Sequence, residues 1–90
     1  MVKEKTYQSS DTHEVLKDER SLVLFNDDHN TFDHVIKCLI DVCEHNYFQA
    51  EQCALITHLK GKCEVKQGTF EELKPMHEDL GRKDLTVEIH

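Results

Sequence analysis

The chain of 90 residues has no tryptophan, one proline, three glycines and six aromatic residues in all. Too few flat side chains remain for nucleobase stacking, and the scarcity of proline and glycine excludes a fibrous or low-complexity chain. Positive charge is also scarce. Eleven Lys and Arg stand against 18 Asp and Glu, a formal charge of −7. A phosphate-backbone binder draws most of its affinity from a basic stripe, so nucleic acid is excluded as a partner. No apolar run reaches the 18 residues of a membrane span, and the first 20 residues lack the apolar stretch of a signal peptide. There is no CxxC pair among Cys38, Cys43, Cys53 and Cys63. Three of these lie in apolar helical patterns, where a free thiol behaves as a small hydrophobe. A soluble protein of a reducing, cytoplasmic compartment is expected, with no membrane association.

What is present is one small domain. Residues 1–20 are polar and charged without periodicity and are expected to form a flexible extension. Residues 21–90 carry the core. Ser21–Phe25 is a short apolar run suited to a strand buried on both faces. It stops at Asn26-Asp27-Asp28-His29-Asn30, a cluster of turn and cap formers. Phe32, Val35, Ile36, Leu39, Ile40 and Cys43 then recur at helical spacing, with Asn30 expected as the cap, Asp33 completing its capping box, and Asn46 as the breaker. A second helix through Ala50, Ala54 and His58 ends at Gly61, and Lys62–Gln67 reads as a strand. Thr69 and Glu72 form the capping box of a third helix running toward Gly81, which Pro75 is expected to kink or shorten. Leu85–Ile89 alternates as a half-buried strand does. The fold class is α+β, in the order β-α-α-β-α-β, with a small, mainly antiparallel sheet packed against three helices.

Two features carry chemistry. Asn26-Asp27-Asp28, where a strand gives way to a loop, offers acceptors able to hold a compact ammonium, although alone it reads first as an ordinary Asx-rich turn. His58 has Ala54 and Ala50 one and two turns before it, leaving room for a pocket wall, although alone it reads first as a histidine favoured by a helix C-terminus. His34 and Cys38, four apart, are a two-ligand helix edge, but no paired-ligand module or EF-hand spacing accompanies them, so no metal and no cofactor is expected. A thiol or metal-dependent hydrolase centred on Asp27, His58 and Cys63, or one with Ser21 as nucleophile, lacks any supporting nucleophile motif. It stands as the alternative in another class, beside a purely structural interaction domain. P-loop and GxGxxG motifs are absent, so the chain supplies no ATP-driven work of its own.

The combination is more specific than its parts. A strand ending in Asn26-Asp27-Asp28, then Asn30-Thr31-Phe32 opening a helix, then His58-Leu59-Lys60-Gly61 closing the next, with His58 31 positions after Asp27, resembles the ClpS family of protease adaptors. The resemblance covers about residues 21–90 and implies a ClpS-like fold and an adaptor without catalytic residues. Such an adaptor binds the N-terminal residue of N-degron substrates and passes them to the N-terminal domain of a Clp-type AAA+ unfoldase and its peptidase. It implies that Asn26, Asp27 and His58 receive the substrate α-ammonium. It also implies that Asp28, Asn30, Phe32, Val35, Ala54 and Thr57 line a pocket for a large apolar N-terminal side chain. A monomer suffices, and the N-terminal extension would help the unfoldase engage. Three positions depart from the family pattern: Phe32 stands at a gate where Met is common, Ala54 replaces another common Met, and Thr57 replaces an aliphatic residue. Ala54 is expected to widen the pocket and Phe32 partly to refill it. The stretch between Gly61 and Gly68 is longer than usual, and Pro75 is unexpected in the family pattern.

Overall fold

The computed structural model describes residues 18–90. The extension expected over residues 1–20 lies outside the described residues except at its end, where Arg20 already belongs to the first strand. Leu22, Val23 and Leu24 form the middle of β1 (Arg20–Phe25) and are all buried. β1 is followed by α1 (Phe32–Cys43), α2 (Tyr47–Lys60), β2 (Lys62–Gly68), α3 (Phe70–Arg82) and β3 (Thr86–Ile89). This is the β-α-α-β-α-β order that the periodicity predicts. β1 is the central strand of an antiparallel sheet ordered β2-β1-β3.

Register sorts the side chains. Leu22 lies opposite Ile89 and Leu24 opposite Val87, so these four share one sheet face. That face meets Ile36, Leu39 and Cys43 of α1, Ala50 and Ala54 of α2, and Leu73 and Leu80 of α3 in one apolar core. Val23 points the other way, between Glu64 and Glu88, and is nevertheless buried. β2 carries one extra residue, Val65, between the pairs Leu22–Lys66 and Val23–Glu64. This bulge places Val65 in the core, while its carbonyl accepts a 2.7 Å hydrogen bond from the buried His45 Nε2.

Side chains satisfy most helix ends. Asn46, expected only as a breaker, also begins a helix: with Gln49 it forms the reciprocal capping box of α2. Thr69 and Glu72 do the same for α3, as expected. The cap of α1 is Thr31, whose Oγ1 accepts from the His34 amide at 3.1 Å, and not Asn30 with Asp33. Lys66 Nζ donates to the Cys43 carbonyl at 3.0 Å, satisfying an acceptor at the α1 C-terminus.

Pro75 neither kinks α3 out of helical form nor ends it, because α3 runs unbroken from Phe70 to Arg82. The amide hydrogen that proline lacks would have served the carbonyl of Glu71, an exposed residue that water can satisfy. α3 also passes through Gly81. Its terminal residue in the left-handed region is Asp84, at φ 74°. The Leu85 amide reaches back to the Leu80 carbonyl and the Asp84 amide to the Gly81 carbonyl, both at 3.0 Å, which is a Schellman ending.

Candidate functional site

The strand-to-loop exit and the end of α2 are tied together by backbone. Gly61 caps α2 at φ 94°, its amide donating to the Thr57 carbonyl, and its own carbonyl accepts from the Asn26 amide at 2.9 Å. A left-handed residue is needed there, hence glycine. This bond sets the acceptor-rich loop beside the last turn of α2, which carries His58.

The loop folds around Asp27. Its Oδ1 accepts from the amides of His29, at 3.1 Å, and Asn30, at 2.9 Å, and its Oδ2 accepts from Asn30 Nδ2 at 2.8 Å. The second Asn30 amide hydrogen goes to the Asp84 carbonyl at 2.8 Å, fastening the loop to the α3–β3 turn. His29 Nε2 meets the Asp84 carboxylate at 2.9 Å on the exposed rim. Burial works against a charge on Asp27, but the Asn30 side-chain bond, the two backbone bonds and His29 outweigh it and hold its carboxyl below the ordinary 3.8. Asp27 is therefore an anion through the neutral range. A carboxylate has about four acceptor positions. The loop occupies three, leaving one on Oδ2 and the full charge.

All nine residues singled out from the sequence line one pocket of about 300 Å³: Asn26, Asp27, Asp28, Asn30, Phe32, Val35, Ala54, Thr57 and His58. Leu24, Phe25 and Leu85 complete it and were not foreseen. Leu24 and Phe25 directly precede the acidic motif in sequence, and that adjacency is the signal that points to them. Leu85 arrives only through the Asn30–Asp84 fastening, 54 residues apart. Ala54 is buried in the pocket wall, whereas Ala50 belongs wholly to the core. Thr57 spends its hydroxyl on the Cys53 carbonyl at 2.7 Å, so the pocket meets a threonine whose polar atom is already satisfied. The exposed His58 ring packs against the Phe32 ring, centroids 5.4 Å apart and tilted by 59°. Polar acceptors and charge lie on the loop side, with apolar walls from β1, α1 and α2.

The other sequence candidates go elsewhere. Cys63 does not line this pocket; its thiol faces the Glu64 carbonyl and Cys53. Burial and the neighbouring Cys53 and Glu64 push that thiol up to about 12, where no thiolate nucleophile forms at neutral pH. Ser21 Oγ donates to the Glu64 carboxylate. A hydrolytic centre of Asp27, His58 and Cys63 is thus not assembled. His34 Nε2 is committed to the Lys83 carbonyl at 2.8 Å, where it joins α1 to the end of α3. Among the described residues no group of three or more His, Cys, Asp or Glu converges as a metal site would require. Also among them, no helix is long and apolar enough to cross a membrane.

Comparison with known proteins agrees with the resemblance seen in the motifs. Residues 17–88 match the family model described as ATP-dependent Clp protease adaptor protein ClpS. Among solved structures, Agrobacterium tumefaciens ClpS2 bound to L-phenylalaninamide superposes with a TM-score of 0.70 at 19% sequence identity, covering 81% of this chain and 95% of that one. No curated protein matches the sequence. At that identity the superposition establishes the fold, and the family model, spanning most of the chain, establishes the kinship. The chain belongs to the ClpS family, non-catalytic adaptors of the ATP-dependent Clp protease.

Proposed function

We propose that the pocket binds the N-terminal residue of a protein substrate, and that the protein delivers N-degron substrates to a Clp-type AAA+ unfoldase. One observation carries this reading: a single pocket joins an anionic, acceptor-rich loop to an apolar wall. A free α-ammonium has three donors and a compact charge. Asp27 supplies the countercharge and one free acceptor position, while Asn26 and His58, which line the same pocket, supply further acceptors. The volume, about 300 Å³, is at the low end for ligand pockets and suits one side chain rather than a folded peptide. Leu24, Val35, Ala54 and Leu85 favour a large apolar or aromatic group, and a charged one would be desolvated without a partner. The ligand of the Agrobacterium neighbour, L-phenylalaninamide, joins an amine to an aromatic side chain, which is the same pairing of chemistries.

Acetylation removes the ammonium and leaves the loop acceptors unpaired. Fluorescence-anisotropy titration of Phe-led peptides, free and N-acetylated, is therefore expected to show at least about ten-fold weaker binding of the acetylated form, as the loss of a charge-assisted hydrogen bond implies. Equal affinity would sink the reading. His58→Ala removes one of the acceptors offered to the ammonium, so the free-amine peptide should bind more weakly. If His58→Ala binds that peptide as the parent does, His58 has no such role. Delivery is tested by degradation of a Phe-led reporter with a purified Clp unfoldase and peptidase. Asp27→Asn is expected to abolish adaptor-dependent turnover while leaving the unfoldase's own activity intact.

A further inference from the structure

α2 is apolar on its outer side as well as toward the core. Tyr47, Phe48, Leu55, Ile56 and Leu59 are all exposed, with Tyr47 at 60% and Leu59 at 69%. A patch of this kind on a small domain marks a contact surface. Tyr47, Glu51 and Leu55 follow one another at four-residue spacing, which makes them one ridge of the helix. With Phe32, Asp33 and Ile36 of α1, that ridge walls a groove of about 460 Å³. Phe32 borders both this groove and the pocket, so the two cavities are neighbours along the α1–α2 face.

We propose that this groove is a second subsite for the same substrate chain, taking an arginine or lysine about three residues after the N-terminal one; this rests on reading the pocket as the N-terminal-residue site. The span fits. Glu51 precedes His58 by seven helical residues, about 10 Å along the axis at 1.5 Å each. A peptide in the polyproline II conformation covers that in about three residues at 3.1 Å each and, with three residues per turn, returns its fourth side chain to the face of its first. A chain anchored by its ammonium at the His58 end thus brings its fourth side chain to Glu51. The groove wants a long side chain with an apolar stem and a cationic head. Tyr47, Leu55 and Ile36 offer apolar surface, Asp33 and Glu51 are carboxylates on its rim, and no basic residue lines it. The stem lies on the ring and the leucine while the head reaches the carboxylates, as long cationic side chains do on amphipathic surfaces. The excess of acidic residues over the whole chain opposes an acidic side chain at the same place.

The test uses the full chain and peptides Phe-Ala-Ala-X with a common tail, X being Arg, Ala or Glu. Arg is expected to bind about five-fold tighter than Ala, the upper range for an exposed ion pair, and Glu weaker than Ala. Moving the Arg to position 2 loses the gain. In the double variant Tyr47→Ser, Glu51→Gln, both substitutions at exposed positions, the Arg advantage should vanish with the Ala peptide unchanged. Equal affinities for the three peptides, or an Arg advantage that survives in the variant, overturns the subsite while leaving the pocket reading intact. If the variant leaves every peptide unchanged but slows delivery by the unfoldase, the groove belongs to the unfoldase and the proposal is likewise overturned. Failure of every free-amine peptide to bind the folded protein overturns the pocket reading, and the subsite falls with it.

Discussion

Asn30 lines the pocket without being its charge, and replacing it by alanine tests how the loop is held. Its carboxamide gives one hydrogen to Asp27 Oδ2 and the other to the Asp84 carbonyl, each at 2.8 Å. A bond to a charged acceptor is worth about 1.5–3 kcal/mol and one between neutral groups about 0.5–1.5 kcal/mol. Asn30 is only partly buried, so the lower ends apply, and the two bonds together contribute about 2 kcal/mol. In a domain of this size that lowers Tm by roughly 8–16 °C. The loss depends on pH. Asp27 titrates below 3.8 in the folded protein, although burial alone would raise it, because the Asn30 and His29 bonds favour the anion. A folded value below the unfolded one adds stability that is complete above 3.8 and disappears as pH falls through the folded value. Asn30→Ala removes part of that term, so the variant and the parent should converge in acid. Thermal and urea melts followed by circular dichroism at pH 7 and pH 3 read both effects. A Tm loss under about 2 °C at pH 7, or a gap no smaller at pH 3, would refute the reasoning.

Three further outcomes follow from other parts of the structure. Ala54→Met fills the buried wall of the pocket, and overfilling a packed site costs about 1–3 kcal/mol. Ile-led peptides, branched at Cβ, should lose more affinity than Leu-led ones; unchanged selectivity between the two would show that Ala54 does not widen the pocket. Glu44 caps α1 at φ 61° and is exposed, so Glu44→Gly should stabilise by about 0.5–1 kcal/mol, read as a higher urea midpoint. A lower midpoint would mean that the left-handed strain is absent. Burial pushes the Cys43 thiol up to about 11, against the pull of Lys66, and burial also leads the rise of Cys63 to about 12. Alkylation at pH 8 should be slow until urea unfolds the chain, and stability should fall as pH rises above 9.0, where only unfolded thiols ionise. Rapid native labelling of Cys43 would contradict this.

Much of this molecule is legible in the sequence because its signals are local. Apolar spacing identifies α1 and α2, the Thr69–Glu72 box identifies and starts α3, and Gly61 ends α2 where its φ of 94° requires it. The errors arise where two local rules compete for one residue. Asn30 is a good cap, but Thr31 next to it is another, and Asp27 and Asp84 claim the Asn30 amide first. Asn46 both follows one helix and starts the next, and only its pairing with Gln49 distinguishes the roles. Pro75 looks disruptive until the exposure of the affected carbonyl is known. At the site, the acceptors and the small helix face are visible as motifs, whereas Leu85 is not. It reaches the pocket through a tertiary fastening with no trace in sequence spacing. The Val65 bulge is likewise set by partner strands and by His45, far from it in the chain.

The most direct measurement titrates the folded protein with L-phenylalaninamide and with its N-acetyl derivative, followed by the backbone amide resonances. The account predicts saturable shifts from the free amine, centred on Asn26–Phe32 and Ala54–Gly61, strongly reduced in Asp27→Asn and absent with the acetylated compound. Shifts centred elsewhere, or the same response to both compounds, would contradict it.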